Sequence, residues 1–375
     1  MRRLGAKRTA RAALEAGPRR AGAPMHAIAA VGCVLAAACG GCDRAPLPPN
    51  PRPVATVVVV TFDGVRPHEL FVGPDPDLAP ERAVGPDPAM PFLLNDLGPR
   101  GAFVGRPGKG EPMVLANPVG TSLPGYQSMF AGRPTLCLDN ECGAPEGGTL
   151  FDAVLDARDG SPGQVTILAS WDGICEGLGL DARFDATCGP GAIERRWMAQ
   201  MGGGRATDAP SPPDSVDRAA FELALDRLAG HPPALLFLAL DETDGTGHAG
   251  DYPGHLRTLT RYDTWLRELD ETLRDLEQAG HPSALVVTTD HGRGSGEQWS
   301  EHRWNVPGTR RVWLFASGRG IRPAGAVAAR QRYTLASLRA TVEYLLGIER
   351  EPSLCEADVI EAILVETPSS DPDAD

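Results

Sequence analysis

The sequence predicts a three-layer α/β/α sandwich with a mostly parallel central sheet, and three observations carry that prediction. From residue 54 onward, short β-branched or apolar runs alternate with longer stretches of helical spacing, as in a parallel sheet flanked by helices. The strand candidates are continuously apolar rather than alternating, which suits strands buried on both faces. The chain has 375 residues, 42% hydrophobic and 23% charged, enough for one large core and typical of globular material.

The elements follow in order. Residues 1–24 carry seven basic side chains against Glu15, a stretch of +6 in a chain of net charge -13. Ala27 to Ala38 is uncharged, and Cys39-Gly40-Gly41-Cys42 follows. Basic region, short apolar region and small residues read as a secretory signal over 1–42, too short in its apolar part to span a bilayer. Leu35 to Cys39 resembles a bacterial lipoprotein cleavage site, with Cys39 as the lipidated residue and the leucine one place further off than that pattern has it. Met25 offers a second start. A Pro-rich linker, 43–53, leads into the main domain expected over 54–350, and 351–375 ends in an acidic tail. The expected location is the bacterial envelope, periplasmic or lipid-anchored to a membrane.

Within the domain the expected strands run from Thr56 to Thr61, Val165 to Ser170, Leu235 to Leu240, Ala284 to Thr289 and Arg311 to Ala316. Helices are expected from about His255 to Gln278, where leucines recur every three or four residues, from Val216 to Leu228 and from Thr334 to Leu346. Five cysteines lie beyond the leader. The spacing of Cys137 with Cys142 and of Cys175 with Cys188 predicts two local disulfides, in keeping with export, and leaves Cys355 over. A zinc knuckle would need tighter pairs. The acidic balance works against a nucleic-acid duplex as partner.

Ligands of open parallel sheets bind at the carboxyl ends of strands. There the sequence places Asp63-Gly64 after the first strand, Asp241 and Asp244-Gly-Thr-Gly-His248 after the third, and Asp290-His291-Gly292 after the fourth, with His302 eleven residues on. An aspartate at a strand end is ordinarily a turn or cap residue, and a lone histidine ordinarily fills a surface or core position. Three strand ends delivering Asp and His together need cations to offset the crowded carboxylates. Mixed Asp and His donors favour zinc or a similar divalent ion over calcium.

These residues resemble the alkaline phosphatase superfamily, and within it the type I phosphodiesterase/nucleotide pyrophosphatase branch. The motifs fall in that family's order from Val54 to Ala316: Asp63-Gly64, then Ser122 in Thr-Ser-Leu-Pro-Gly-Tyr-Gln-Ser-Met-Phe-Ala-Gly, then Asp244 with His248, Asp290 with His291, and His302. The resemblance implies an alkaline phosphatase-like fold and two divalent ions, Zn2+ with Mn2+ as the alternative, about 4 Å apart. Asp244, His248 and His302 would hold one, and Asp63, Asp290, His291 and Ser122 the other. It further implies a hydrolase of small phosphate mono- or diesters acting through a phosphoserine at Ser122; the leader marks it for export. Pro124, two places on, favours Ser122 over Thr121 as nucleophile; Thr121 and Ser122 also suit a helix cap.

Departures from the family pattern bear on substrate. Gly125 stands just after the proline, where the family carries an asparagine that holds a phosphoryl oxygen, and Asn117, Lys109 and Arg133 are the replacement candidates. Asp251-Tyr-Pro-Gly-His255 repeats the Asp-x-x-Gly-His spacing, but Asp244 lies nearer the strand end and His255 is expected to open the long helix. Asp241 is read as a partner of the metal ligands, and His68, His231 and His281 as surface residues. Ser122-Leu-Pro-Gly-Tyr126 departs from a sulfatase signature at its last position, where arginine is required. A phosphomutase would need a large cap, and 134–234 has room only for a small lid. A non-catalytic metal-binding relative is the remaining alternative.

Overall fold

The computed structural model describes residues 47–79, 89–201, 213–349 and 357–366. The leader with Cys33, Cys39 and Cys42, the Gly202 to Gly204 stretch, Cys355 and the tail from Thr367 lie outside the described residues.

Among the described residues there are ten strands: β1 (Thr56–Phe62), β2 (Gly101–Val104), β3 (Met113–Val114), β4 (Val165–Ala169), β5 (Asp185–Cys188), β6 (Leu235–Leu240), β7 (Ser283–Thr288), β8 (Arg311–Val312), β9 (Leu314–Gly318) and β10 (Gly325–Ala326). Eight form one sheet in the order β10-β2-β9-β7-β1-β6-β4-β5, and β3 pairs with β8 separately. Only β9 runs against the others, antiparallel to both β7 and β2. The sheet is therefore mostly parallel, as its continuous apolar strands predict. β1 sits at its centre, with Val57 opposite Leu235 on one side and Ala284 on the other.

Side chains of β1 feed two cores in turn. Val57 and Val59 pack with Tyr126, Phe130, Phe151 and Leu338 on one face; Val58, Val60 and Phe62 pack with Leu256, Leu259, Tyr262 and Phe221 on the other. The first face is covered by helices Ser122–Ala131, Leu150–Ala157 and Ser337–Leu346, the second by Val216–Gly230 and Tyr252–Gln278. Burying a side chain such as Phe130 or Leu259 contributes about 2 kcal/mol, so each layer is held by many such increments.

Several boundaries differ from expectation for local reasons. The expected Arg311 to Ala316 strand breaks at Trp313, whose buried Nε1 donates to the Val65 carbonyl at 3.1 Å. The long helix starts at Tyr252 because Asp251 caps it, its carboxylate accepting the Gly254 N–H at 2.9 Å. The last helix begins at Ser337, three residues later than expected from Thr334. β2, β3, β5 and β10 have no counterpart among the expected strands; they are short, and Asp185–Cys188 carries no apolar run. Both disulfides are formed as the spacing predicts, Cys137–Cys142 and Cys175–Cys188. Among the described residues no helix is long and apolar enough to cross a membrane.

His255 is fully buried on the long helix. Its Nδ1 donates to the Thr243 carbonyl at 3.0 Å, and burial pushes its pKa down to about 4. The unfolded chain, with an ordinary value near 6.5, binds this proton first. Stability from this group is therefore intact above about pH 6.5 and falls as pH drops toward 4, by on the order of 3 kcal/mol in full. We expect the fall in Tm between pH 7 and pH 5 to shrink in His255→Gln; an unchanged slope would remove His255 from the account.

Candidate active site at the carboxyl edge of the sheet

The three central strands, in the spatial order β7-β1-β6, end side by side. β1 runs directly into Asp63. β7 runs through Thr289 into Asp290 and His291. β6 is followed by Asp241 and helix Glu242–His248, which places Asp244 and His248 four residues apart on one face. His302 comes from the loop before β8, and Ser122 opens helix Ser122–Ala131.

The side chains converge. His248 Nε2 lies 3.1 Å from Asp244 Oδ2 and 2.8 Å from His302 Nε2, and His302 Nε2 lies 3.8 Å from Asp244 Oδ1. His291 Nε2 lies 3.3 Å from Asp63 Oδ1, 3.5 Å from Asp290 Oδ2 and 3.9 Å from Asp244 Oδ1. Ser122 Oγ stands 3.2 Å from the same His291 Nε2. Among the described residues two groups have the dimensions of cation sites, Asp244 with His248 and His302, and Asp63 with Asp244 and His291. Asp244 thus borders both groups, whereas the expected assignment gave it to one; Asp290 lies beside the second.

The donor set fits divalent cations on two grounds. His291 Nδ1 faces the Gly292 carbonyl at 2.9 Å, and His302 Nδ1 faces the Gly120 carbonyl at 2.9 Å. A carbonyl only accepts, so both rings carry their proton on Nδ1 and turn an Nε2 lone pair into the site. Asp63 Oδ1 and Asp290 Oδ2 are enclosed without a hydrogen-bond partner, an unfavourable state for carboxylate oxygens unless a cation meets them.

Electrostatics agree. Burial, then the neighbouring Asp244 and Asp241 carboxylates, hold Asp63 well above the carboxylate range, and burial with Asp63 does the same to Asp290. Burial also pushes Asp244 up, but its hydrogen bond to His248 and the Arg293 guanidinium outweigh that and keep it ionised. Burial and His291 push His302 down to about 3. Asp241 rises to about 7 through burial and the Asp244 and Asp217 carboxylates; it lies beside the ligands, as expected of a partner.

Sequence reasoning missed two residues here. Arg293, almost fully buried, pairs with the Asp244 carboxylate and donates to the Asp244 carbonyl at 3.1 Å. Gly64 and Gly247 make room for it: a Cβ at Gly64 would lie 2.8 Å from Arg293 Nε, and one at Gly247 would lie 2.4 Å from Cζ. The signal available was a cation three places after Asp290, in a segment read only for metal ligands. Asn140, in the Cys137–Cys142 loop, accepts the Leu123 N–H with its Oδ1 at 2.9 Å, next to the nucleophile candidate. Nothing in the local sequence pairs Asn140 with Ser122; the disulfide loop does.

The proposed phosphate clamps are placed elsewhere. Asn117 is buried and spent on the Pro124 and Cys137 carbonyls and on Thr135, bracing the loop behind the helix. Arg133 donates to the Ala131 and Glu146 carbonyls, and Lys109 lies exposed in the turn after β2. Thr121 holds the N-cap position of the Ser122 helix without a side-chain capping bond. His255 and Asp251 belong to the long helix. His231 is exposed as expected, but His68 and His281 are half-buried, His281 Nε2 lying 2.8 Å from Thr56 Oγ1. A cavity of about 860 Å³ lies at the opposite end of the sheet, beside Ser283 at the start of β7 and Ser317 late in β9, and contains none of these groups.

Gly125 is where the departure from the family pattern gains a physical reason. A Cβ there would stand 2.3 Å from the Asp290 carbonyl oxygen, so the nucleophile helix and the metal-ligand loop touch backbone to backbone. Gly125→Ala is expected to cost about 1–3 kcal/mol and to lower activity with it. Thermal melting checks this; a variant as stable and as active as the wild type would show that the two segments are not seated on each other.

Residues 160–309 match the family described as Type I phosphodiesterase / nucleotide pyrophosphatase. That segment contains Asp244, His248, Asp290, His291 and His302 and leaves Asp63 and Ser122 outside. No curated protein matches the sequence. Among solved structures the fold is similar to a 2-O GAG sulfatase (13% identity, 83% of this chain and 74% of that one, TM-score 0.56). It is similar to the phosphonate monoester hydrolase of Agrobacterium radiobacter (13%, 85% and 78%, TM-score 0.55). The alkaline phosphatase PafA is a third such structure (12%, 84% and 99%, TM-score 0.55). Residues 160–309 are thus similar to the type I phosphodiesterase/nucleotide pyrophosphatase family, and the mostly parallel sheet with its ligand-bearing strand ends shares the fold of the alkaline phosphatase PafA and the phosphonate monoester hydrolase.

Proposed function

We propose that the protein is an exported hydrolase of phosphate mono- or diesters that uses Ser122 as nucleophile and two divalent cations. The observation that carries this reading is the placement of Ser122 Oγ 3.2 Å from His291 Nε2, amid carboxylates delivered by three adjacent strand ends. Asp244, His248 and His302 would hold one cation, and Asp63, Asp290 and His291, with the shared Asp244 alongside, the other. When bound, such ions supply the positive charge that acidifies a serine hydroxyl and neutralises phosphoryl oxygens.

The chain's own residues do the positioning. Ser122 Oγ attacks phosphorus, the bond to the leaving oxygen breaks, and the serine proton is balanced through solvent by protonation of the departing alcohol. Water then attacks the phosphoserine, the bond to Ser122 breaks, and Oγ regains a proton as phosphate or its monoester leaves. Asn140 takes the Leu123 N–H, and Pro124 has none, so of the three residues opening the helix only Ser122 keeps a backbone N–H without a partner among the described residues, free for a phosphoryl oxygen. Asn140, exposed and held to the Leu123 N–H through its Oδ1, would offer its side-chain N–H as a second donor. Arg293 holds Asp244 ionised but is too enclosed to reach substrate.

Phosphate is favoured over sulfate ester by Tyr126. It occupies the position at which a sulfatase carries arginine, is buried, and donates to Asp63 Oδ2 at 3.2 Å, thereby bracing a ligand. Export is supported by the two disulfides. Purified protein assayed with p-nitrophenyl phosphate, bis-p-nitrophenyl phosphate and p-nitrophenyl sulfate should turn over a phosphate ester at least about a hundredfold faster than the sulfate; a preference for the sulfate would overturn the reading.

A further inference from the structure

Gln127 lies five residues after Ser122 on the same helix and is 2% exposed. Its Nε2 donates to two carbonyls at once, Gly143 at 2.7 Å and Gly177 at 2.8 Å. Both acceptors sit at disulfide-closed segments: Gly143 follows Cys142, and Gly177 lies two residues after Cys175. The two segments grip Leu123, the neighbour of Ser122, from different directions. Asn140 of the first holds its N–H, and Gly177 of the second lies against its side chain, where a Cβ would come within 2.2 Å of Leu123 Cδ1.

Resting on the reading of Ser122 as nucleophile, we propose that Gln127 is a positioning residue whose two hydrogen bonds register both disulfide segments on the helix and so fix Asn140 beside Ser122. The Gln127 amide hydrogens are both used, and no other side chain among the described residues bonds to both segments in this way. Asn117 anchors only the far end of the first loop, at Thr135 and Cys137. Loss of Gln127 therefore releases the Asn140 end while leaving the loop attached.

The test is a double-mutant cycle on full-length protein with bis-p-nitrophenyl phosphate. Gln127→Met should lower kcat/KM about tenfold in the wild-type background and less than about twofold when Asn140 is already alanine, because both changes remove one interaction. A purely structural role costs the same factor in both backgrounds, and that result overturns the proposal, as does wild-type activity of Gln127→Met. Should Gln127→Met fail to fold, Cys137→Ser/Cys142→Ser takes its place in the same cycle with the same expectation. Hydrogen exchange at the Leu123 amide supplies a readout independent of turnover: about tenfold faster exchange in Gln127→Met is expected, and unchanged exchange counts against the proposal. Ser122→Ala separates the two levels. A fully active Ser122→Ala overturns the functional reading itself, whereas an inactive one beside multiplicative losses in the cycle overturns only the role of Gln127.

Discussion

Ser122→Ala is expected to lower kcat/KM for phosphate esters by on the order of 10³-fold or more, with little change in Tm. The hydroxyl is the only part removed, and its side-chain hydrogen-bond partner among the described residues is His291 Nε2. A loss of that size corresponds to about 4 kcal/mol of transition-state stabilisation, in line with removal of a covalent nucleophile rather than of a helix cap. A cap alone would cost about 1 kcal/mol of stability and leave chemistry in place. Steady-state kinetics beside a melting curve therefore separate the two roles. Thr121→Ala is the internal control: Thr121 makes no capping bond, so that variant should stay within a few-fold of wild type.

Removal of divalent cations is expected to have a comparable effect. Exhaustive chelation should abolish turnover and lower Tm, and Zn2+ or Mn2+ added back should restore both, because ions bound to the native state alone stabilise it by mass action. The direction in pH follows from the carboxylates. Asp63 is held above the ordinary range by burial and the Asp244 and Asp241 carboxylates, and Asp290 by burial and Asp63, so a cation-free site retains protons that a cation must displace. Cation affinity should rise with pH above the ordinary carboxylate range. Asp244→Ala should be the most damaging ligand substitution, since Asp244 borders both clusters and its loss leaves Arg293 buried without its carboxylate, at about 3–5 kcal/mol. Titration calorimetry and melting curves of the stripped protein check these points; full activity in protein shown by metal analysis to be cation-free would contradict them.

Legibility in the sequence tracked the strength of local patterns. The strands at Thr56, Val165, Leu235 and Ala284 announce themselves because strands buried on both faces must be continuously apolar, and the polar residues that interrupt them therefore mark the working edge of the sheet. Asp63, Asp244, His248, Asp290, His291 and His302 stand out for that reason, and the fold brings their side chains together. β2, β3, β5 and β10 do not, because a short strand such as Gly101–Val104 is defined by its neighbours rather than by its own residues. Arg293, Asn140 and Gln127 were invisible for a related reason. Each acts through a partner far away in sequence: Asp244 for Arg293, Leu123 for Asn140, and the Gly143 and Gly177 carbonyls for Gln127. Gly125 shows the converse, since its lack of a side chain reads as a departure from a family pattern until the Asp290 carbonyl beside it explains the requirement.

The central claim is that hydrolysis proceeds by two displacements through Ser122, and the stereochemical course at phosphorus tests it most directly. Each in-line displacement inverts the configuration. Hydrolysis of a chiral phosphorothioate diester in isotopically labelled water should therefore proceed with net retention if Ser122 is phosphorylated and then released by water. Net inversion would mean that water attacks the ester directly, and would contradict the account.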